Sequence, residues 1–233
     1  MPVDEKMTTY RAEGLEIPCL LCIHAGEGPF PLVIILHGSD GFKSNHAQIA
    51  RIIAGEGIAA MAPTWFGGES PRAHWDELQA DDITAGVAWL RNRPEVDTDR
   101  LGMIGFSRGG GLALIMGALM PRTGAIVNYF GLTAWQGGLQ EFPNLPLNAA
   151  DAYDFVRRIH CPILSFHGAM DTVVPAEDTL NLNAACQKYG IDHNYIIYPD
   201  VDHSFIWPGD KHRPHAHKDS WDRTIAFFKK HLF

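Results

Sequence analysis

The stretch Gly105-Phe106-Ser107-Arg108-Gly109 constrains this chain more than any other. An apolar run, Leu101 to Ile104, leads into it, and a run of helix formers, Leu112 to Met120, follows. A serine on the sharp turn between a strand and a helix is a nucleophile elbow, whose hydroxyl stands above the edge of a sheet. The turn is so tight that side chains two residues before and after the serine would strike the neighbouring strand and helix, and glycine at both places removes the collision. The hydroxyl then sits beside a helix N-terminus, where backbone N–H groups lack partners within the helix. With 7 serines and 23 glycines in 233 residues, chance supplies Gly-x-Ser-x-Gly about 0.07 times. The flanking strand and helix are therefore what give the pattern its weight.

The rest of the chain supplies an architecture for such an elbow. Thr8 to Arg11 and Leu15 to Ile23 read as an antiparallel hairpin turned at Glu13-Gly14. Leu32 to Leu36 is a continuous aliphatic run, as in a strand buried on both faces. His46 to Ala54 reads as a helix, Ile58 to Ala62 as a strand stopped by Pro63, and Trp75 to Leu90 as a helix with Leu78, Ile83, Val87 and Leu90 on one side. After the elbow come a strand at Ala125 to Phe130, a strand at Pro162 to Phe166, a helix at Ala176 to Tyr189, a strand at Asn194 to Tyr198 and a closing helix at His215 to His231. Such alternation predicts an α/β fold, a mostly parallel central sheet with helices on both faces. A length of 233 residues fits one domain, 1–233, with a sizeable core. The longest irregular segment, Gly131 to Ala150, follows a strand and is placed to wall a site.

A net charge of −8 argues against nucleic acid or an anionic membrane as partner. The polar N-terminal stretch Met1 to Tyr10 shows no secretory signal, no segment approaches the apolar length of a membrane span, and a cytoplasmic location is expected. Cys19 and Cys22 form a C-x-x-C, but it lies within the strand-like run Ile17 to Ile23 and has no second pair. With Cys161 and Cys186, these read as buried reduced thiols.

In open parallel sheets the site lies beyond the carboxyl ends of the strands. Strand Pro162 to Phe166 runs into His167-Gly168-Ala169-Met170-Asp171, and strand Asn194 to Tyr198 into Pro199-Asp200-Val201-Asp202-His203. The expected constellation is Ser107, Asp171 and His203, in that chain order. A serine hydroxyl is a poor nucleophile at neutral pH. An imidazole removes its proton during attack, and a carboxylate fixes the imidazole tautomer. Asp171 has rivals: Glu177 and Asp178 read as acids opening a helix, and Asp200 and Asp202 as turn formers. His167 is expected to shape its loop. An oxyanion hole needs two N–H donors. One is expected from the backbone of Arg108, the other from the loop His37-Gly38-Ser39-Asp40-Gly41, at Ser39 or alternatively Asp40. The chain shows no phosphate-binding G-x-x-x-x-G-K, no dinucleotide fingerprint and no H-E-x-x-H, so neither a cofactor nor a metal is expected. His212, His215 and His217 near Asp210 read as a solvated face.

Together these motifs resemble the dienelactone hydrolase family of the α/β-hydrolase superfamily. The resemblance covers nearly the whole chain. It rests on His37 to Gly41, Ala62-Pro63, the elbow at Gly105 to Gly109, His167-Gly168-x-x-Asp171 with Val174-Pro175, and Tyr198 followed by His203-Ser204-Phe205. It implies an α/β-hydrolase fold without a large cap, and a serine esterase or lactonase acting on a small-molecule ester or lactone. Founding members carry a cysteine at the elbow where this chain has Ser107, a glutamate where it has Gly38, and an arginine where it has Ile206. A thioesterase or peptidase on the same scaffold, and a non-catalytic binding protein, are the competing readings. Phe42, Trp65, Trp135 and Trp207, with Phe66, fall in loops at the expected edge and are candidates to line an aromatic cleft. Arg72 and Arg108 are the candidates to meet a substrate carboxylate.

Overall fold

A computed structural model describes residues 2–133, 142–146, 153–203, 205–207 and 214–233. Among these residues, eight strands form one sheet, in spatial order β1 (Val3–Ala12), β2 (Leu15–His24), β4 (Ala59–Pro63), β3 (Phe30–Leu36), β5 (Val96–Phe106), β6 (Thr123–Tyr129), β7 (Ile163–Gly168) and β8 (His193–Tyr198). The first two, β1 (Val3–Ala12) and β2 (Leu15–His24), make the expected hairpin. Its two turn residues, Glu13 and Gly14, both have positive φ, as the tightest hairpin turns require. β2 then runs antiparallel to β4 (Ala59–Pro63). β3 (Phe30–Leu36), β4, β5 (Val96–Phe106), β6 (Thr123–Tyr129), β7 (Ile163–Gly168) and β8 (His193–Tyr198) are mutually parallel.

Among the described residues, five helices cover the two faces: α1 (Ser44–Gly55), α2 (Asp81–Leu90), α3 (Arg108–Leu119), α4 (Glu177–Tyr189) and α5 (Pro214–Leu232). Strand periodicity divides the core. Leu32, Ile34 and Leu36 join a cluster with α2, α3 and α4. Val33 and Ile35 join a second with α1 and α5, where Phe228 is fully buried. Cys19 falls in the first cluster and Cys22 in the second. The C-x-x-C thus straddles the sheet, and burial pushes both thiols up to about 12.

One expectation is corrected. Trp75 to Leu90 is not one helix: Trp75–Glu77 is a short 3-10 turn, and α2 begins at Asp81. Leu78 takes an extended conformation, ψ 133°, which interrupts the helical ladder. The Asp82 carboxylate caps the break by accepting the Gln79 N–H at 2.8 Å.

The chain order fixes where a ligand fits. From β3 the chain moves to one side to make β4, then returns past β3 to make β5. The point where winding reverses lies between β3 and β5, and in such sheets the crevice beyond the carboxyl ends at that point is the binding place. Leu36 pairs with Gly105 there, so the loop after β3 and the elbow after β5 stand side by side.

Candidate functional site

Ser107 sits between β5 and α3 with φ 52° and ψ −120°, a conformation that strains any residue with a side chain. The flanking glycines have no alternative. A Cβ on Gly105 would lie 2.0 Å from the Gly109 carbonyl oxygen, and one on Gly109 would lie 2.2 Å from that of Leu36. The elbow is held by its own backbone: the Ser107 N–H donates to Tyr129 O (3.0 Å), and its carbonyl accepts from Gly110 (2.8 Å) and Leu132 (3.1 Å). Arg108 is the first residue of α3, so its N–H belongs to the helix end that carries partial positive charge.

Asp171 and His203 come together from the loops after β7 and β8, adjacent strands paired at Gly168 and Tyr198. The Asp171 side chain is fully buried, and its Oδ2 lies 2.6 Å from His203 Nδ1. Its Oδ1 accepts the backbone N–H groups of Val173 and Val174, both at 2.8 Å. Burial alone would raise the Asp171 pKa. Hydrogen bonds from His167, His203 and Val174 outweigh it and hold the group well below the usual carboxylate range. An ionised Asp171 requires Nδ1 of His203 to carry a hydrogen, which leaves Nε2 of the neutral ring with a lone pair. The His203 ring packs 4.5 Å from that of Phe130, the residue directly after β6, which has φ 39°.

Ser107 and His203 line one cleft of about 450 Å³ together with Gly38, Ser39, Asp40, Lys43, Asn45, His46, Phe106, Phe130, Val173 and Trp207. The loop after β3 presses on the elbow: a Cβ on Gly38 would stand 3.0 Å from Phe106 O and 3.3 Å from Ser107 Cβ. Arg108 ties the two segments from the other side. Its guanidinium donates to Ser39 Oγ at 2.5 Å and lies 3.7 Å from the centre of the Trp75 ring. At the mouth, Lys43 Nζ pairs with Asp40 Oδ2 at 2.8 Å, and this bond lowers the Asp40 pKa. His46 Nδ1 accepts the Lys43 N–H at 3.0 Å, so its neutral ring carries hydrogen on Nε2. Desolvation pushes His46 down to about 4 and the neighbouring His37 to about 3.

The aromatic expectations divide. Trp207 lines the cleft. Trp65 does not: it is fully buried, stacks on His37 with ring centres 4.9 Å apart and donates to the His37 carbonyl, supporting the loop from beneath. Phe42 also stays out of the lining and stacks instead on His46 at 5.9 Å. Trp135 lies outside the described residues, as do His212 and Asp210. His215 pairs with Asp200 at 3.2 Å, and His217 with the Ile206 carbonyl at 2.7 Å. Arg72 is corrected as well. It makes a two-pronged ion pair with the buried Asp82, at 2.9 and 3.0 Å, and is not among the residues lining the cleft. Of the rival acids, Asp178 accepts the Thr133 N–H at 2.6 Å and the Tyr153 hydroxyl at 2.5 Å, while Asp202 is exposed. Sequence reasoning missed Lys43, Asn45 and His46 as cleft residues. Their signal was position, since they open the helix directly after the glycine-bearing loop.

The sequence model of the dienelactone hydrolase family matches residues 17–232. A protein of Synechocystis sp. named "Putative carboxymethylenebutenolidase" is 26% identical over 255 residues, covering all of both chains. A Klebsiella pneumoniae protein solved under the name "Putative Dienelactone Hydrolase" superposes with a TM-score of 0.85 at 22% identity, covering 99% of this chain and 100% of that one. An esterase of Thermogutta terrifontis gives 0.76 at 18% identity, covering 97% and 92%. Both structural likenesses speak to the fold.

Proposed function

Because this chain belongs to the dienelactone hydrolase family, we propose that it hydrolyses a carboxylic ester or lactone through an acyl-enzyme on Ser107. The observation that carries this reading is the hydrogen bond of a cleft-lining imidazole, His203, to a buried, ionised carboxylate, Asp171, in the same cleft as an elbow serine. Asp171 holds His203 in the tautomer whose Nε2 is a base. That nitrogen takes the Ser107 proton as Oγ attacks the acyl carbon, and the carbonyl π pair moves onto oxygen. The backbone N–H groups of Arg108 and Ser39 receive the charge that develops there. Collapse expels the alkoxide, protonated by the imidazolium, and leaves an ester on Ser107. Water, deprotonated by the same nitrogen, cleaves that ester and returns the acid. With a lactone the leaving alcohol stays joined to the acyl group throughout, and the second step releases a single hydroxy acid.

The substrate proposed is a small molecule without a free carboxylate. Arg72 and Arg108 are engaged with Asp82 and with Ser39 and Trp75, and Lys43 at the cleft mouth is paired with Asp40. The walls are Phe106, Phe130, Val173 and Trp207, suited to an apolar acyl or alcohol group.

A fluorophosphonate probe tests the reading. One adduct per wild-type chain, on Ser107, is expected, with none on Ser107→Ala. No adduct, and no turnover of short acyl esters, would instead favour a binding protein on this scaffold.

A further inference from the structure

Beneath Asp171 lies a second histidine that the proposed chemistry does not use. His167, the next-to-last residue of strand β7, is wholly buried. Its Nε2 lies 2.8 Å from the Val174 carbonyl oxygen and 3.3 Å from Asp171 Oδ2. Both neighbours are acceptors, so Nε2 must carry a hydrogen, directed between them. Nδ1 lies 2.7 Å from Thr179 Oγ1 on α4, and in the neutral ring the threonine hydroxyl donates to it. The result is an unbroken chain from the buried Thr179, His167 and Asp171 to His203 at the cleft.

From this geometry we propose that His167 is a positioning residue. Its Nε2–H shares the same carboxylate oxygen, Oδ2, that receives His203, and so sets both where that oxygen stands and how strongly it draws the His203 proton. Thr179 fixes the tautomer. The inference rests on the reading of Ser107, Asp171 and His203 given above and extends it by a fourth and a fifth side chain. Two anchors divide the labour. The Val173 and Val174 N–H groups hold Oδ1, while His167 polarises Oδ2. Removing the second anchor leaves Oδ1 held, lets Oδ2 shift, and concentrates the carboxylate's charge on His203, which favours the imidazolium.

The charged and titratable groups that bear on this relay can be named. Asp171 faces His167 and His203. His203 is also within electrostatic reach of Asp40 from the loop after β3, and Asp40 is itself paired with Lys43.

The test compares His167→Met, which keeps the volume and removes the donor, with His167→Gln, whose amide N–H replaces Nε2–H. Thr179→Val, a near-isosteric change one step further out, guards against a methionine variant that fails to fold. The readouts are the acidic limb of kcat/KM against pH and, without substrate, the titration of the His203 ring by NMR. In His167→Met both are expected to move to higher pH by at least 0.3 unit, about a twofold change in proton affinity. Several-fold loss of kcat with KM within threefold is expected alongside. Thr179→Val should shift the same way by less, and His167→Gln should stay near wild type. A folded His167→Met with wild-type limb and titration overturns the proposal, as does an equal shift in His167→Gln. If His167→Met does not fold, an unshifted Thr179→Val overturns it. A wild type that neither turns over esters nor labels at Ser107 would sink the esterase reading instead, a result distinct from any of these.

Discussion

Asp171 Oδ2 and His203 Nδ1 stand 2.6 Å apart although 32 residues separate them in the chain. Adjacent parallel strands, β7 and β8, bring them together, and the pair is sealed from water on the carboxylate side. An amide in place of the carboxylate would present either an N–H to the ring, which forces the wrong tautomer, or a neutral oxygen, which keeps the tautomer but loses the charge that stabilises the imidazolium. Asp171→Asn is therefore expected to lower kcat about 10³–10⁴-fold, as loss of such an acid does elsewhere, with little change in KM. Asp202→Asn, at an exposed position in the same loop as His203, should change kcat less than about threefold. Steady-state rates on a short acyl ester, with circular dichroism to confirm folding, would check both. The reverse order would reassign the acid.

The elbow gives a stability prediction. A methyl group on Gly105 would sit 2.0 Å from a carbonyl oxygen of α3, and one on Gly109 would sit 2.2 Å from a carbonyl oxygen of β3. Backbone cannot swing aside there as the end of a flexible side chain can. Gly105→Ala and Gly109→Ala are each expected to cost about 3 kcal/mol or more, the upper end for overpacking. For a chain of this size that is a fall in Tm of roughly 6–12 °C. Thermal melts would decide. A Tm within 2 °C of wild type would show that the turn can open without harm.

How far the sequence reached follows from the range of each interaction. The elbow, the hairpin turn at Glu13-Gly14 and the strand runs are local, and their residues announce them. Leu32 to Leu36 alternates between two cores, which any buried strand must do. Chain order at the carboxyl ends pointed to Asp171 and His203, whose side chains the structure brings within 2.6 Å of each other. What was not legible depended on distant partners. Arg72 looked available until Asp82, ten residues on, claimed it. Trp65 looked like a cleft wall because it follows a strand, yet its ring turned under His37. The split of the Trp75 to Leu90 segment turned on the Asp82 carboxylate capping Gln79, which apolar spacing does not register. His46 enters the cleft with its ring 6.0 Å from that of Phe106, a contact no motif encodes.

Acid should destabilise the fold earlier than its carboxylates alone would dictate. Desolvation lowers His37 to about 3 and His46 and His193 to about 4, against about 6.5 in an unfolded chain. Between those limits the unfolded state binds protons that the folded state refuses, so stability falls as pH drops from about 6.5 towards 4. Asp171 is depressed below its ordinary value of 3.8, so its contribution is lost only beneath that point. Urea midpoints are expected to be flat from pH 8 to 7 and to decline steadily from 6.5 to 4.5, less steeply in His46→Gln. A midpoint unchanged down to pH 4.5 would mean that these rings accept protons in place.

Charge at the mouth of the cleft should decide which esters are taken. Asp40 and Lys43 both line it and neutralise one another. The pair is well exposed, so its effect on stability is small, but a substrate carboxylate arriving there meets an ammonium already occupied and a carboxylate that repels it. Asp40→Asn leaves the ammonium without its partner. For two esters matched in size, one neutral and one bearing a distal carboxylate, this variant should raise the anionic-to-neutral ratio of kcat/KM by about 2–5-fold at low salt. That is the effect of about 0.4–1 kcal/mol, the scale of an exposed ion pair. Lys43→Gln should lower the ratio, and added salt should bring all three proteins together as the charges are screened. Ratios that do not move in either variant would place the substrate's far end away from the loop after β3.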